Sequence, residues 1–104
     1  MKARVTIGQA ERVYVSAATI WEIAIKVRLG KLKADVDKVI AEIAANDFEE
    51  LPVFARHAWL VAQLPAIHGD PFDRLLVAQA QAETMRLLTA DARLTKYSDL
   101  VIPV

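Results

Sequence analysis

The chain contains no cysteine, which excludes disulfides, thiolate metal sites and cysteine nucleophiles at once. It carries no surplus of charge: 13 basic residues face 13 acidic ones, so the basic footprint of a protein that coats nucleic acid is missing. That balance does not exclude an enzyme that touches only a few phosphates. No apolar run is long enough to span a membrane, and no signal-peptide pattern opens the sequence. The expectation is a soluble, cytoplasmic domain with no membrane partner. Repeats, low-complexity tracts and linkers are missing too. So are a glycine-rich phosphate loop and an aromatic platform for bases.

What is present is material for a core. Hydrophobic residues make up 55% and charged residues 25% of 104 positions, enough for one packed domain over residues 1–104 and too apolar for disorder. Strand-like and helix-like stretches alternate along it. "RVYVS" (12–16) is a short β-rich run, and "AATIWEIAIKVRLG" (17–30) is a helix with Ser16 as N-cap and Gly30 as its stop. "DVDKVIAEIAAN" (35–46) is amphipathic, with Val36, Val39, Ile40 and Ile43 on one face. "FEELPV" (48–53) reads as a strand despite Pro52, and "ARHAWLVAQL" (55–64) as a helix closed by Pro65. "PFDRLLVAQAQAE" (71–83) is a helix with Pro71 at its first position, where a missing N–H costs nothing. "MRLLTA" (85–90) is a strand, "DARLTKY" (91–97) a short helix and "LVIPV" (100–104) a last strand. Such alternation implies parallel pairing with helices on both faces of the sheet, an α/β fold.

In open α/β sheets ligands sit beyond the carboxyl ends of the strands, and that rule selects three acids. Asp91 follows "MRLLTA" directly and serves either as a helix N-cap or as part of a site. Asp73 lies in "HGDPFDRLL" (68–76), three residues after Asp70, where the pair resembles a capping box with Asp in place of Glu or Gln. Asp73 also leads the row Val77 and Ala80, so its carboxylate faces apolar neighbours, a costly placement that a metal ion would relieve. Glu22 stands roughly 9 Å into its helix and could simply pair with Lys26 at i+4, worth roughly 0.2–0.5 kcal/mol. Singly, each acid has a structural explanation; their common placement at one end of the sheet is what points to function. An all-oxygen set of Glu and Asp suits Mg²⁺ or Mn²⁺ rather than zinc, and such ions activate water for phosphodiester cleavage.

Other polar residues carry less. His57 falls inside a helix, packed or solvated. His68 has no second histidine or cysteine near it in sequence and is not expected to be a ligand. The basic run "KVRLGKLK" (26–33) closes a helix, where cations are favoured, or else holds RNA phosphates.

Three segments, "VYVSAATIWEIAIKVRLGKL", "DPFDRLLVAQAQAE" and "LLTADARLTKY", closely resemble the PIN-domain ribonuclease toxins of VapBC-type toxin–antitoxin systems, from about residue 11 to the C-terminus. The resemblance implies an α/β/α sandwich with a central parallel sheet and Mg²⁺- or Mn²⁺-dependent endoribonuclease activity on RNA. It also implies inhibition by a cognate VapB-like antitoxin. By position, the family's acidic residues fall on Glu22, Asp73 and Asp91, its hydroxyl residue on Thr89, and Asp70 is an extra acid or a cap. A homodimer is also expected.

The chain departs from the family at its start. Members begin with a strand carrying a first metal-binding aspartate, in a pattern like "LLDTHALLW", and then a helix; neither is found in "MKARVTIGQAERVYVS". Without a central strand, the strands at 12–16 and 85–90 would stand two spacings apart, roughly 9.6 Å at ~4.8 Å each. Three ligands would remain where the family uses four. Two functions follow: a metal-dependent ribonuclease toxin, or a truncated, non-catalytic relative that binds an antitoxin or self-associates. A plain α/β interaction domain is the third.

Overall fold

The computed structural model describes residues 3–6, 12–66, 69–89 and 91–103, with the backbone alone over 3–6. His68 and two residues at expected strand ends, Ala90 and Val104, lie outside the described residues. Strand β1 (Ala3–Thr6) lies between β2 (Val13–Ser16) and β4 (Arg86–Thr89) and runs antiparallel to both. On the outer sides, β2 pairs in parallel with β3 (Glu49–Leu51), and β4 in parallel with β5 (Val101–Pro103). The strand order is β3-β2-β1-β4-β5.

The α/β class expected from the alternation therefore holds, with one strand that the periodicity did not announce. Residues 3–6 fill the gap that was expected between β2 and β4: Val5 pairs with Tyr14 on one side and Leu87 on the other. Val5 and Thr6 are β-branched, the residue type that a pleated strand accommodates best. Since β1 opposes both neighbours, β2 and β4 point the same way, and Ser16 and Thr89 end at one edge of the sheet. Ala3, the start of β1, pairs with Thr89 at that same edge. The strand's own sequence, Ala-Arg-Val-Thr, brings no acid there.

Helix α1 (Ala17–Arg28) starts where β2 stops, because the Ser16 hydroxyl accepts the Ala18 N–H at 3.0 Å. It ends at Arg28, two residues before the expected limit, and Gly30 takes φ 73° while Lys31 N–H turns back to the Lys26 carbonyl at 2.9 Å; a left-handed residue there suits glycine. Asp35 caps α2 (Val36–Ala45), and α3 (Ala55–Gln63) follows β3. The short helix expected over 91–97 is a 3₁₀ helix at Ala92–Lys96, capped by Asp91.

Helix α4 (Pro71–Glu83) matches its predicted bounds and is the axis of the core. Its residues Leu76, Val77, Ala78, Gln79 and Ala80 are all buried. Five consecutive positions at about 100° each cover the whole circumference, so this stretch has no solvent face. Leu51, Leu64, Leu87, Leu94 and Val101 close around it. Arg74, one turn into α4, donates to the Val61 carbonyl at 2.9 Å and the Pro65 carbonyl at 2.8 Å, which satisfies orphan groups at the end of α3.

Asp70 begins α4 as its N-cap, accepting the Phe72 N–H at 2.9 Å and the Asp73 N–H at 3.2 Å. Replacing Asp70 with alanine is expected to lower unfolding free energy by about 0.5–2 kcal/mol, and the loss should persist in chelator. Urea denaturation of both proteins in EDTA measures it; an unchanged midpoint would remove the capping role.

Candidate active site

The edge where β2 and β4 end is built from the first two turns of α1, the first turn of α4 and the loop after β4. Glu22 lies on α1 with only 6% of its surface exposed, and Lys26 Nζ meets its carboxylate at 3.1 Å. The i+4 pair expected from sequence thus forms, but around a buried carboxylate. Glu22, Thr19, Ile23, Val39, Ile43 and Phe48 line a largely apolar cavity of about 510 Å³ between α1 and α2. Thr19 Oγ1 is buried there, and among the described residues no group hydrogen-bonds to it.

Asp73 is 3% exposed, with Val77 and Ala80 buried along the same row, as its spacing predicted. Its carboxylate sits at the amino end of α4, where the helix dipole favours negative charge. Asp91 is the N-cap of the 3₁₀ helix: Oδ1 accepts the Arg93 N–H at 3.0 Å, and the guanidinium grips both oxygens at 3.0 and 2.7 Å. Thr89, fully buried at the end of β4, accepts the Asp91 N–H on its hydroxyl at 3.1 Å and so fixes the loop's departure. Asp91 raises the Arg93 guanidinium above its ordinary value, first by hydrogen bonding and then by charge; Asp73 adds a smaller attraction. Asp73 and Asp91 therefore share the field of one cation.

Glu22 and Asp73 are linked through their neighbours. Trp21 and Phe72, the residues immediately before them, meet edge to face with ring centroids 5.1 Å apart and planes at 75°. The four acids take different roles. Asp70 is committed to its helix cap, while Glu22, Asp73 and Asp91 stand on the elements that frame one edge. Among the described residues, however, no three acidic or histidine side chains gather closely enough to hold one ion. A divalent ion fits these hard oxygen donors in kind. It does not fit their present arrangement, in which Lys26 and Arg93 already neutralise two of the three. Lys26 and Arg28, from the basic run, occupy the last turn of α1. Arg93, two residues beyond Asp91, is the partner that sequence reasoning missed.

A buried polar relay supports this edge from behind. Gln79 Oε1 accepts the Ser16 hydroxyl at 2.5 Å, while Nε2 donates to the Pro52 carbonyl at 3.1 Å and to His57 Nδ1 at 3.3 Å. His57, fully buried, also takes the Phe54 N–H on Nδ1 at 3.1 Å, a histidine filling half of a capping box for α3. With Nδ1 an acceptor, Nε2 carries the proton and donates to Glu83 at 2.8 Å, and Arg56 reaches the same oxygen at 2.7 Å. The hydrogen bond from His57, and after it that from Arg56, holds the Glu83 carboxyl below its ordinary value. A glutamine and a histidine of this kind give no periodic signal; only their partners reveal them.

Comparison with known families gives one match: the PIN-domain model covers residues 1–100. No curated protein and no solved structure gives a significant match.

Two variants probe the relay. Gln79→Leu removes the acceptor of the buried Ser16 hydroxyl and one donor to the part-buried Pro52 carbonyl, at a cost of about 1–3 kcal/mol for a buried group left unpaired, readable by urea denaturation. Glu83, depressed when folded, stabilises the fold above its ordinary value near 4.5 and loses that contribution as pH falls through the folded value. Glu83→Gln should therefore flatten the fall of melting temperature on the acid side. A slope identical to that of the parent would refute the assignment.

Proposed function

The chain belongs to the PIN-domain family, in general one of metal-dependent nucleases, and from that premise we propose that it is an endoribonuclease toxin held in check by a cognate VapB-like antitoxin. Its cofactor in this reading is Mg²⁺ or Mn²⁺, held by Glu22, Asp73 and Asp91, with Thr89 and Asp70 in support. The observation that carries the reading is the burial of Glu22 and Asp73, at 6% and 3% exposure, at the edge where the parallel strands end. Carboxylates in such places are expensive unless charge is brought to them. When bound, the ion would supply a Lewis acid and an activated water for phosphodiester hydrolysis. The protein's own part is positional. Asp70 and Ser16 fix the helix starts that present Asp73 and Glu22, and Thr89 sets the loop that presents Asp91. Arg93 and Lys26 are the cations that must give way to an ion, or else stay to meet the substrate's phosphates.

A second reading rests on a separate observation. The three acids do not gather, two have cationic partners, and the cavity between α1 and α2 offers mostly apolar walls. A non-catalytic relative, binding a VapB-like antitoxin or a second copy of the chain, would need only that groove.

The deciding experiment is cleavage of single-stranded RNA in Mn²⁺ or Mg²⁺ with a chelator control, alongside calorimetry of Mn²⁺ binding. Asp73→Asn, Asp91→Asn and Glu22→Gln should each weaken Mn²⁺ binding by more than the roughly 10–100-fold that contacts outside the ligand shell command. Asp70→Asn should change it less. Loss of binding in Asp70→Asn alone would overturn the ligand assignment. Metal-independent inertness of the parent would favour the second reading.

A further inference from the structure

We infer that Trp21 and Phe72 form a stacking platform for one base of a single-stranded RNA, set beside the acids of the candidate site. The inference rests on the ribonuclease reading and names the part of the substrate that the carboxylates cannot recognise.

An exposed indole alone is unremarkable, since folded proteins leave much apolar surface in water. Three observations set Trp21 apart. It is 61% exposed although Ala18, Thr19 and Glu22 on the same helix are buried. Its ring is held by the edge-to-face contact with Phe72 across the α1–α4 junction. A base that stacks on a ring already fixed meets little further loss of side-chain freedom. The third observation is position. Trp21 precedes Glu22 and Phe72 precedes Asp73, so the ring pair bridges the two helices that carry buried carboxylates.

The chemistry of the surroundings selects a nucleobase over other flat ligands. A phosphodiester met by the exposed Arg93 guanidinium beside Asp91 carries its own base one sugar away. Bases of any sequence stack on an aromatic face, so such a platform adds grip without demanding one base. The sequence holds no run of aromatics for this purpose; folding assembles the pair from two distant helices. Trp59 on α3 is the internal contrast. It is 70% exposed, but among the described residues it has no ring partner and no neighbouring candidate ligand.

These two are the chain's only tryptophans, so Trp59→Phe leaves Trp21 as the sole indole reporter. That protein is titrated in Mg²⁺ with a short single-stranded 2′-O-methyl RNA and with an abasic oligomer of equal charge. The base-bearing strand should quench the indole saturably and the abasic strand should not. Trp21→Leu should weaken binding of the base-bearing strand by roughly 5- to 150-fold, the share of one stacked base, and raise KM for cleavage more than it lowers kcat. Trp21→Phe should recover most of the loss and Trp59→Leu should change nothing.

Equal quenching by the abasic strand, or parental affinity in Trp21→Leu, overturns the platform. If Trp21→Leu does not fold, Trp21→Phe and the abasic comparison decide in its place. Active parent protein whose Trp21 variant binds RNA normally removes the platform and leaves the ribonuclease reading standing. A parent that neither binds nor cuts RNA removes both. Loss of antitoxin binding or self-association in Trp21→Leu, with RNA affinity intact, would make the ring a protein-docking surface and refute the inference.

Discussion

One buried amide holds this fold in register. Gln79 sits where α4 has no solvent face, and its two polar ends reach three separate parts of the chain: the start of α1, the exit from β3 and the capping histidine of α3. A leucine of similar volume would pack there, yet it could not tell one arrangement of those parts from another. Because an unpaired buried polar group is penalised heavily, the amide permits one relative placement of α1, α3 and α4. The edge-to-face contact of Trp21 with Phe72, the residues just before Glu22 and Asp73, forms within that placement. The candidate edge is thus set from inside the core rather than by the loops that border it.

Charge is handled by the same economy. The protein is neutral overall, and at the edge of the sheet the neutrality is local: an ammonium stands on Glu22 and a guanidinium on Asp91. In both pairs the cation keeps a large part of its surface in water, while the Glu22 carboxylate is buried and that of Asp91 only partly exposed.

Much of this was legible in the sequence where chemistry is local. Asp70 followed by Pro71 fixed the start of α4, and Ser16 the start of α1, because capping is decided within three residues. The row Asp73, Val77, Ala80 was buried as its spacing required. What could not be read was what depends on distant partners. The strand Ala3–Thr6 is too short for a periodic signal and pairs with residues at the far end of the chain. The 3₁₀ form of 92–96 reflects a single turn squeezed between β4 and β5. His57, expected only to be packed or solvated, caps α3 through Phe54 three residues before it and donates to Glu83, a partner that sequence spacing does not bring near it. Trp21 and Phe72 look unrelated until α1 and α4 cross.

The reversed central strand has a consequence for how the chain reaches this state. Val5 pairs with Leu87, so the middle of the sheet joins segments about 80 residues apart, a closure with a high entropic barrier and a high contact order. Chain synthesis delivers β1 and β2 first and β4 near the end. Until then one side of β1 has no partner strand, and the half of the sheet carrying Thr89 and Asp91 does not exist. The β2–β3 pair can form within its own half, but the seam that unites the two halves waits until β4 has been made.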